Sequence, residues 1–199
     1  MFYDGGLRVP FIARWPGVIK AGSTSDLMVE GIDLYPTFAE FAAAKLPDPA
    51  VHVLDGESIA PVLRGETNTL HRKAIYYHFP GYLDTRAYPC SVIIKQTDDN
   101  HRYKLIYSYE DEHYELYALT NDLGEKTDLL QGNVDPAILE GANDLNDDLN
   151  RWLQRVHPLY AKLKSTGAQT PLPIAVKEAM KRGNHSTRRI FDAHAQPGE

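Results

Sequence analysis

At 199 residues the chain fits one large domain or one and a half ordinary ones, long enough to bury roughly 70% of its extended surface. Its 43% apolar and 24% charged residues are those of an ordinary globular protein, and a net charge of −6 argues against the basic face of a nucleic-acid binder and against a membrane-surface role. A single cysteine, Cys90, rules out an intrachain disulfide.

The chain opens on Tyr3-Asp4-Gly5-Gly6, read as a turn in which glycine serves backbone geometry. Phe11 to Trp15 reads as a short buried strand between Pro10 and Pro16-Gly17. Asp33 is a candidate N-cap for a helix carrying Leu34, Phe38, Phe41 and Ala42 at helical spacing, with Pro36 in its first turn and a stop before Pro47. Ser58 is a candidate cap for a short helix through Ile59, Val62 and Leu63 that Gly65 ends.

From Arg72 the period changes from helical to β. Ala74 to Phe79 and Ser91 to Lys95 read as strands. Tyr103, Leu105, Tyr107 and Tyr109 alternate with Lys104, Ile106 and Ser108, and Tyr114 to Leu119 repeats the pattern after the turn Glu110-Asp111-Glu112-His113, as in an antiparallel hairpin. Asp135-Pro136 starts the longest helix, whose apolar stripe is Ile138, Ala142, Leu145, Leu149, Trp152 and Val156; Pro158 ends it. That stripe is expected to cover one face of the small sheet. Residues 159–199 are weakly patterned and read as a tail with a short helix from Pro173 to Arg182, stopped by Gly183.

Few residues stand out as chemistry. Cys90 reads as a buried structural thiol. Asp98-Asp99-Asn100 reads as a hairpin turn and Asp144, Asp147 and Asp148 as a solvated helix face, so neither is expected to hold a metal. His52, His71, His101, His113, His157, His185 and His194 show no metal-ligand spacing on an expected element and read as solvated or satisfied histidines. No G-x-S-x-G elbow is present. Residues 1–20 do not read as a signal peptide, which could still belong to a longer parent, and no run approaches a membrane span.

Four segments, in order, carry a family resemblance. Tyr3-Asp4-Gly5-Gly6-Leu7-Arg8-Val9-Pro10 with Trp15-Pro16-Gly17 resembles the Y-E/D-G-G-x-R-x-P…W-P-G segment of the sulfatases, hydrolases of sulfate esters. Asp33-Leu34-Tyr35-Pro36-Thr37 is similar to their D-x-x-P-T helix start. Asp55-Gly56-Glu57-Ser58-Ile59-Ala60-Pro61-Val62-Leu63-Arg64-Gly65 is similar to D-G-x-S-L-x-P-L-L-x-G. Tyr103-Lys104-Leu105-Ile106 with Glu115-Leu116-Tyr117-Ala118-Leu119 and Asn121-Asp122-Leu123-Gly124-Glu125 is similar to Y-K-L-I…E-L-Y-D-L-x-N-D-P-x-E, with Ala118 and Leu123 in place of Asp and Pro. The resemblance covers roughly residues 3–156 and leaves the tail outside it.

The resemblance implies an α/β, alkaline-phosphatase-like sulfatase fold. Residues 1–70 would be the C-terminal end of its large α/β domain, residues 71–157 a small C-terminal domain of antiparallel sheet plus helix, and 158–199 an extended tail. In that pattern the formylglycine nucleophile, the Ca²⁺ ligands and the histidines near the sulfate precede Tyr3, and the family's late active-site lysine falls just before the Y-D-G-G segment. The chain is therefore expected to carry no catalytic or metal residue and to be inactive alone, with Ca²⁺ and formylglycine belonging to a longer parent in the periplasm, a secretion or a lysosome. Cys90, followed by Ser91-Val92-Ile93, does not match the formylglycine motif C/S-x-P-x-R.

Tyr76-Tyr77-His78-Phe79-Pro80-Gly81-Tyr82 resembles the family's W-H-F-P-H-Y segment at the edge of the substrate cleft. His78, Tyr82 and Arg86 are the substrate-binding candidates, an aromatic to stack on a ring and a cation for a second anionic group, remote from the sulfate. Two alternatives stay open. One is a non-catalytic binding or assembly module that self-associates through exposed large-domain surface; the other is part of a related phosphate or phosphonate ester hydrolase.

Overall fold

A computed structural model describes residues 2–83, 87–162, 165–170 and 172–182. In chain order the elements are helix α1 (Asp4–Leu7), a 3₁₀ turn (Gly31–Asp33), α2 (Leu34–Phe41), α3 (Ala60–Leu63), strands β1 (Ala74–Phe79), β2 (Cys90–Gln96), β3 (Arg102–Ser108) and β4 (Tyr114–Ala118), then α4 (Pro136–Val156) and α5 (Val176–Lys181). They group into two compact units: residues 10–73, and residues 2–9 with the described residues from 74 onward. Among the described residues no helix is long and apolar enough to cross a membrane.

The second unit is built on a four-stranded antiparallel sheet in the order β1-β2-β3-β4. Side chains alternate between its faces. Ile93, Leu105, Tyr107, Tyr114 and Leu116 point to one face and pack with Ala142, Leu145, Leu149 and Leu153 of α4. Asp135 caps that helix by accepting the Ala137 N–H at 2.8 Å, and His157 closes it in a left-handed conformation, φ 46°. Trp152 stacks on Tyr76 with ring centroids 5.1 Å apart. The expected stripe is thus shifted at its end: Leu153 is buried, and Val156 is 39% exposed.

The segment after α4 is more ordered than its sequence suggests. Asn143, Asn146 and Asn150 lie on one face of α4 and bond the backbone of Val176, Ile174 and Pro173 at 3.1, 3.0 and 3.0 Å. Val176 and Ala179 of α5 are buried in the same core. Gly183, the expected stop, lies outside the described residues.

In the other unit, residues 11–15 are not a strand. A strand needs a hydrogen-bonded neighbour, and the four strands pair only with one another. Ile12 is 89% exposed, and Trp15 meets Phe41 edge-on at 4.8 Å. Helix α2 buries Pro36 and Thr37 and leaves Phe38 exposed, so its apolar spacing does not mark its buried face. Thr37 donates its hydroxyl to the Asp33 carbonyl at 2.6 Å and accepts the Ile59 N–H at 3.0 Å, tying α2 to the start of α3. Ser58 accepts the Ala60 N–H at 3.2 Å, and Gly65, φ 75°, follows the helix end. Asp33 stands at the N-cap position of α2, but its side chain makes no cap bond there; its carboxylate accepts the Glu30 and Glu57 N–H groups at 2.7 and 2.9 Å and pairs with Arg72.

Candidate functional site

On the sheet face turned away from α4, the period-two pattern places charged side chains among apolar ones. Lys104 stands beside Ile106 on β3, and Glu115 beside Tyr117 on β4. All four are buried, as is Val92 on β2. Residues 2–9 lie against this face: Phe2 meets Phe79 at 5.8 Å and Tyr3 meets Tyr117 edge-on at 6.0 Å.

Two polar clusters join the segment to the sheet. In the first, the Lys104 ammonium donates to Asp4 Oδ1 at 2.5 Å, Glu125 Oε1 at 2.7 Å and the Phe2 carbonyl at 3.2 Å. The Asp4 N–H donates to the other oxygen of Glu125 at 2.5 Å. Burial raises the Glu125 pKa above the usual carboxylate range; Lys104 and the Asp4 N–H oppose that rise without cancelling it. In the second, Glu115 accepts the hydroxyls of Tyr3 and Tyr117 at 2.7 and 2.6 Å and faces His113 Nε2 at 3.2 Å. His113 Nδ1 bonds Asp111 at 2.5 Å. Burial works against the imidazolium, but the Asp111 and Glu115 carboxylates outweigh it and push the His113 pKa up to about 9. Burial, with Glu115 beside it, pushes the Tyr3 phenol far above its ordinary value.

The substrate-binding candidates are placed differently. His78 sits at the end of β1, and both its ring nitrogens are engaged. Nε2–H donates to the Leu159 carbonyl at 2.7 Å, which leaves Nδ1 to accept from the Ser91 hydroxyl at 2.8 Å. Ser91 in turn accepts from Tyr109 at 2.8 Å, and the Tyr109 and Tyr160 rings meet the imidazole edge-on. Burial lowers the His78 pKa, so the ring is neutral at pH 7. Tyr82 is 64% exposed and presents its ring to solvent. Arg86 lies outside the described residues.

Sequence reasoning did not single out Lys104, Glu115 or Glu125. The available signal was a lysine and a glutamate inside strands otherwise made of Leu, Ile and Tyr. His113 is a satisfied histidine with two named partners.

Ca²⁺ takes about six to eight oxygen ligands. Among the described residues no group of three or more His, Cys, Asp or Glu could hold a metal ion. The carboxylates of the two clusters face cations already: Asp4 and Glu125 face Lys104, and Asp111 and Glu115 face His113. Cys90 is fully buried on β2, where burial pushes its thiol well above the ordinary value. These residues fit neither a Ca²⁺ site nor a formylglycine position.

The family model described as N-sulphoglucosamine sulphohydrolase, C-terminal, matches residues 1–154. A sulfatase of Formosa agariphila is 50% identical over 154 residues, covering 76% of this chain and 28% of the relative. An N-acetylglucosamine-6-O-sulfatase of Bacteroides thetaiotaomicron is 35% identical over 130 residues, 64% of this chain and 22% of the relative. The chain thus spans 28% and 22% of the lengths of these curated relatives. Among solved structures, a 2-O GAG sulfatase superposes with a TM-score of 0.50 at 20% identity, covering 73% of this chain and 31% of that one; this likeness supports the fold alone. With most of its length matched in this way, the chain belongs to the family of sulfatase C-terminal domains.

Proposed function

We propose that this chain is the C-terminal part of a sulfuric ester hydrolase, where it supplies scaffold and one wall of the substrate cleft. The observation that carries the reading is the 50% identity to a sulfatase across 154 residues. Formylglycine and Ca²⁺, implied for the whole enzyme by the resemblance, are assigned to none of the described residues. At the wall, Tyr82 offers an exposed ring for stacking on a sugar or aryl group; Arg86, which lies outside the described residues, is the cation that the resemblance assigns to a second anionic substituent. His78 serves them by fixing the end of β1, because its ring nitrogens are engaged inside the protein.

The test is an assay of the whole protein that contains this sequence, and of the 199-residue chain alone, on an aryl sulfate, sulfated saccharides and an aryl phosphate. Turnover of a sulfate ester by the whole protein, with none by the chain alone, is expected. Preference for the phosphate ester would overturn the reading in favour of a related hydrolase.

A second reading, an assembly module that self-associates, is favoured by the exposed apolar side chains of residues 10–73, among them Ile12, Phe38 and Val53. Gel filtration decides it: a clean monomer speaks against self-association and an oligomer for it.

A further inference from the structure

We propose that Lys104 is a positioning residue, whose ammonium, rather than apolar packing, sets where the Asp4-Gly5-Gly6 turn lies on the sheet. Only the kinetic consequence of this proposal rests on the sulfatase reading.

Lys104 is fully buried at the middle of β3. An aliphatic side chain would suit a position beside Ile106 and opposite Ile94, and burying a charge there costs free energy that its ion pairs offset only when the geometry is good. A lysine at such a place is poor evidence for stability. It is better evidence that a particular arrangement is being specified.

The three donors of the ammonium are all used, and two of them go to Phe2 and Asp4. The third goes to Glu125, which itself accepts the backbone N–H of Asp4. Asp4 is therefore gripped by its carboxylate and by its backbone at once, each from a different part of the chain.

The segment's other ties, Tyr3 to Glu115 and Tyr117 and Phe2 to Phe79, come before the Asp4-Gly5-Gly6 turn. Helix α1 is four residues long, too short to persist without tertiary support. Gly5, Gly6, Arg8 and Val9 are exposed, and Phe2, 8% exposed, is its one buried apolar side chain. A Cβ on Gly5 would meet nothing within 4 Å, so the turn presents bare backbone outward. In the proposed enzyme, a shift of this turn by about 1 Å is enough to cost orders of magnitude in rate if the turn borders the reacting groups.

The experiment compares Lys104→Met, Lys104→Arg and the neutralised triple variant Asp4→Asn/Lys104→Met/Glu125→Gln. On the 199-residue chain, hydrogen exchange is followed for residues 2–9 and, as an internal control, for β2 and β3. Lys104→Met is expected to speed exchange in residues 2–9 by about tenfold or more while β2 and β3 stay protected, and Lys104→Arg to recover part of the protection. The triple variant strands no charge and so keeps the measurement available if Lys104→Met does not fold; it too is expected to loosen residues 2–9. In the whole enzyme, the same variants are expected to lower kcat per folded molecule by about tenfold or more with little change in KM. Wild-type protection of residues 2–9 in either Met-containing variant would overturn the proposal, as would faster exchange with unchanged kcat. Absence of sulfate-ester turnover by the wild-type enzyme would count against the sulfatase reading instead, and the exchange result would then decide the role of Lys104 by itself.

Discussion

Arg72 grips both carboxylate oxygens of Asp33, Nη1 donating to Oδ1 at 2.9 Å and Nη2 to Oδ2, across 39 residues of sequence. Asp33 is fully buried, and its carboxylate also accepts the Glu30 and Glu57 N–H groups. Replacing Arg72 by Met leaves a buried carboxylate without its cation, and we expect the unit of residues 10–73 to lose about 3–5 kcal/mol. Urea unfolding at pH 7 measures this; a loss below about 1 kcal/mol would show that the backbone donors suffice.

The same pair predicts an acid limit. Burial tends to raise the Asp33 pKa, but Arg72 and the two backbone N–H groups outweigh it, and the folded-state pKa lies below the unfolded one. The contribution is therefore present above the unfolded value, about 3.9, and is lost as pH falls through the lower folded value. The stability difference between wild type and Asp33→Asn is expected to hold from pH 7 to about 5 and to shrink below about 4. A difference that stays constant to pH 2.5 would contradict the assignment.

His113 predicts a limit on the alkaline side. Its pKa is raised to about 9, so the stabilisation is complete below the unfolded value of about 6.5 and fades as pH rises through 9. Thermal melts of wild type and His113→Gln are expected to converge between pH 7 and 9.5. Parallel melting curves across that range would mean that the imidazole is neutral.

Two glycines separate crowding from openness. A Cβ at Gly56 would stand 2.1 Å from the Ile32 carbonyl oxygen, so Gly56→Ala is expected to cost about 3 kcal/mol by forcing backbone apart. A Cβ at Gly5 would meet nothing, so Gly5→Ala is expected to change stability by no more than about 0.5 kcal/mol. Chemical denaturation of the two variants checks the contrast, and equal effects would refute it.

Cys90 is buried, and burial raises its thiol pKa, so it is expected to resist thiol reagents in the folded protein. Labelling by a disulfide-exchange reagent should proceed only as fast as the sheet opens, and should become immediate in denaturant. Rapid labelling without denaturant would show that β2 is open to solvent.

Periodicity and punctuation located what local chemistry controls. The strand pattern from Ala74 to Leu119 and the Asp135-Pro136 helix start are legible because a pleat and a cap each need particular residues at fixed offsets. Residues 11–15 were misread because an apolar run says nothing about whether a neighbouring strand exists to pair with it. Asp33 is legible as the residue that begins α2, but not the use of its side chain, because two of its partners, Glu57 and Arg72, are 24 and 39 residues away. Asn143, Asn146 and Asn150 looked like ordinary polar residues on a helix, yet they hold the backbone of the segment beyond it. Of the candidate site residues, the sequence pointed at His78 and Tyr82 by resemblance, but not to the engagement of both His78 nitrogens. Lys104 and Glu115 belong to the quoted motif, but the sequence gives them no role, because a charge in an alternating strand normally faces water and only tertiary structure shows what covers it.

The sheet is an up-and-down meander in which every strand pairs with its neighbour in sequence. Its nucleus therefore needs only short loops to close, which favours early formation. Tyr3 and Asp4, by contrast, meet partners 112 and 100 residues away. Their docking carries the larger loop-closure entropy, and it requires β3 and β4 to be in place first. The segment thus precedes its partners in sequence yet seats after them, and pulse-labelled exchange during refolding is expected to find residues 2–9 protected after the sheet. Until then Lys104 and Glu115 lack their partners from the segment, so the folding sheet must pass through a stage in which these charges are still in contact with water.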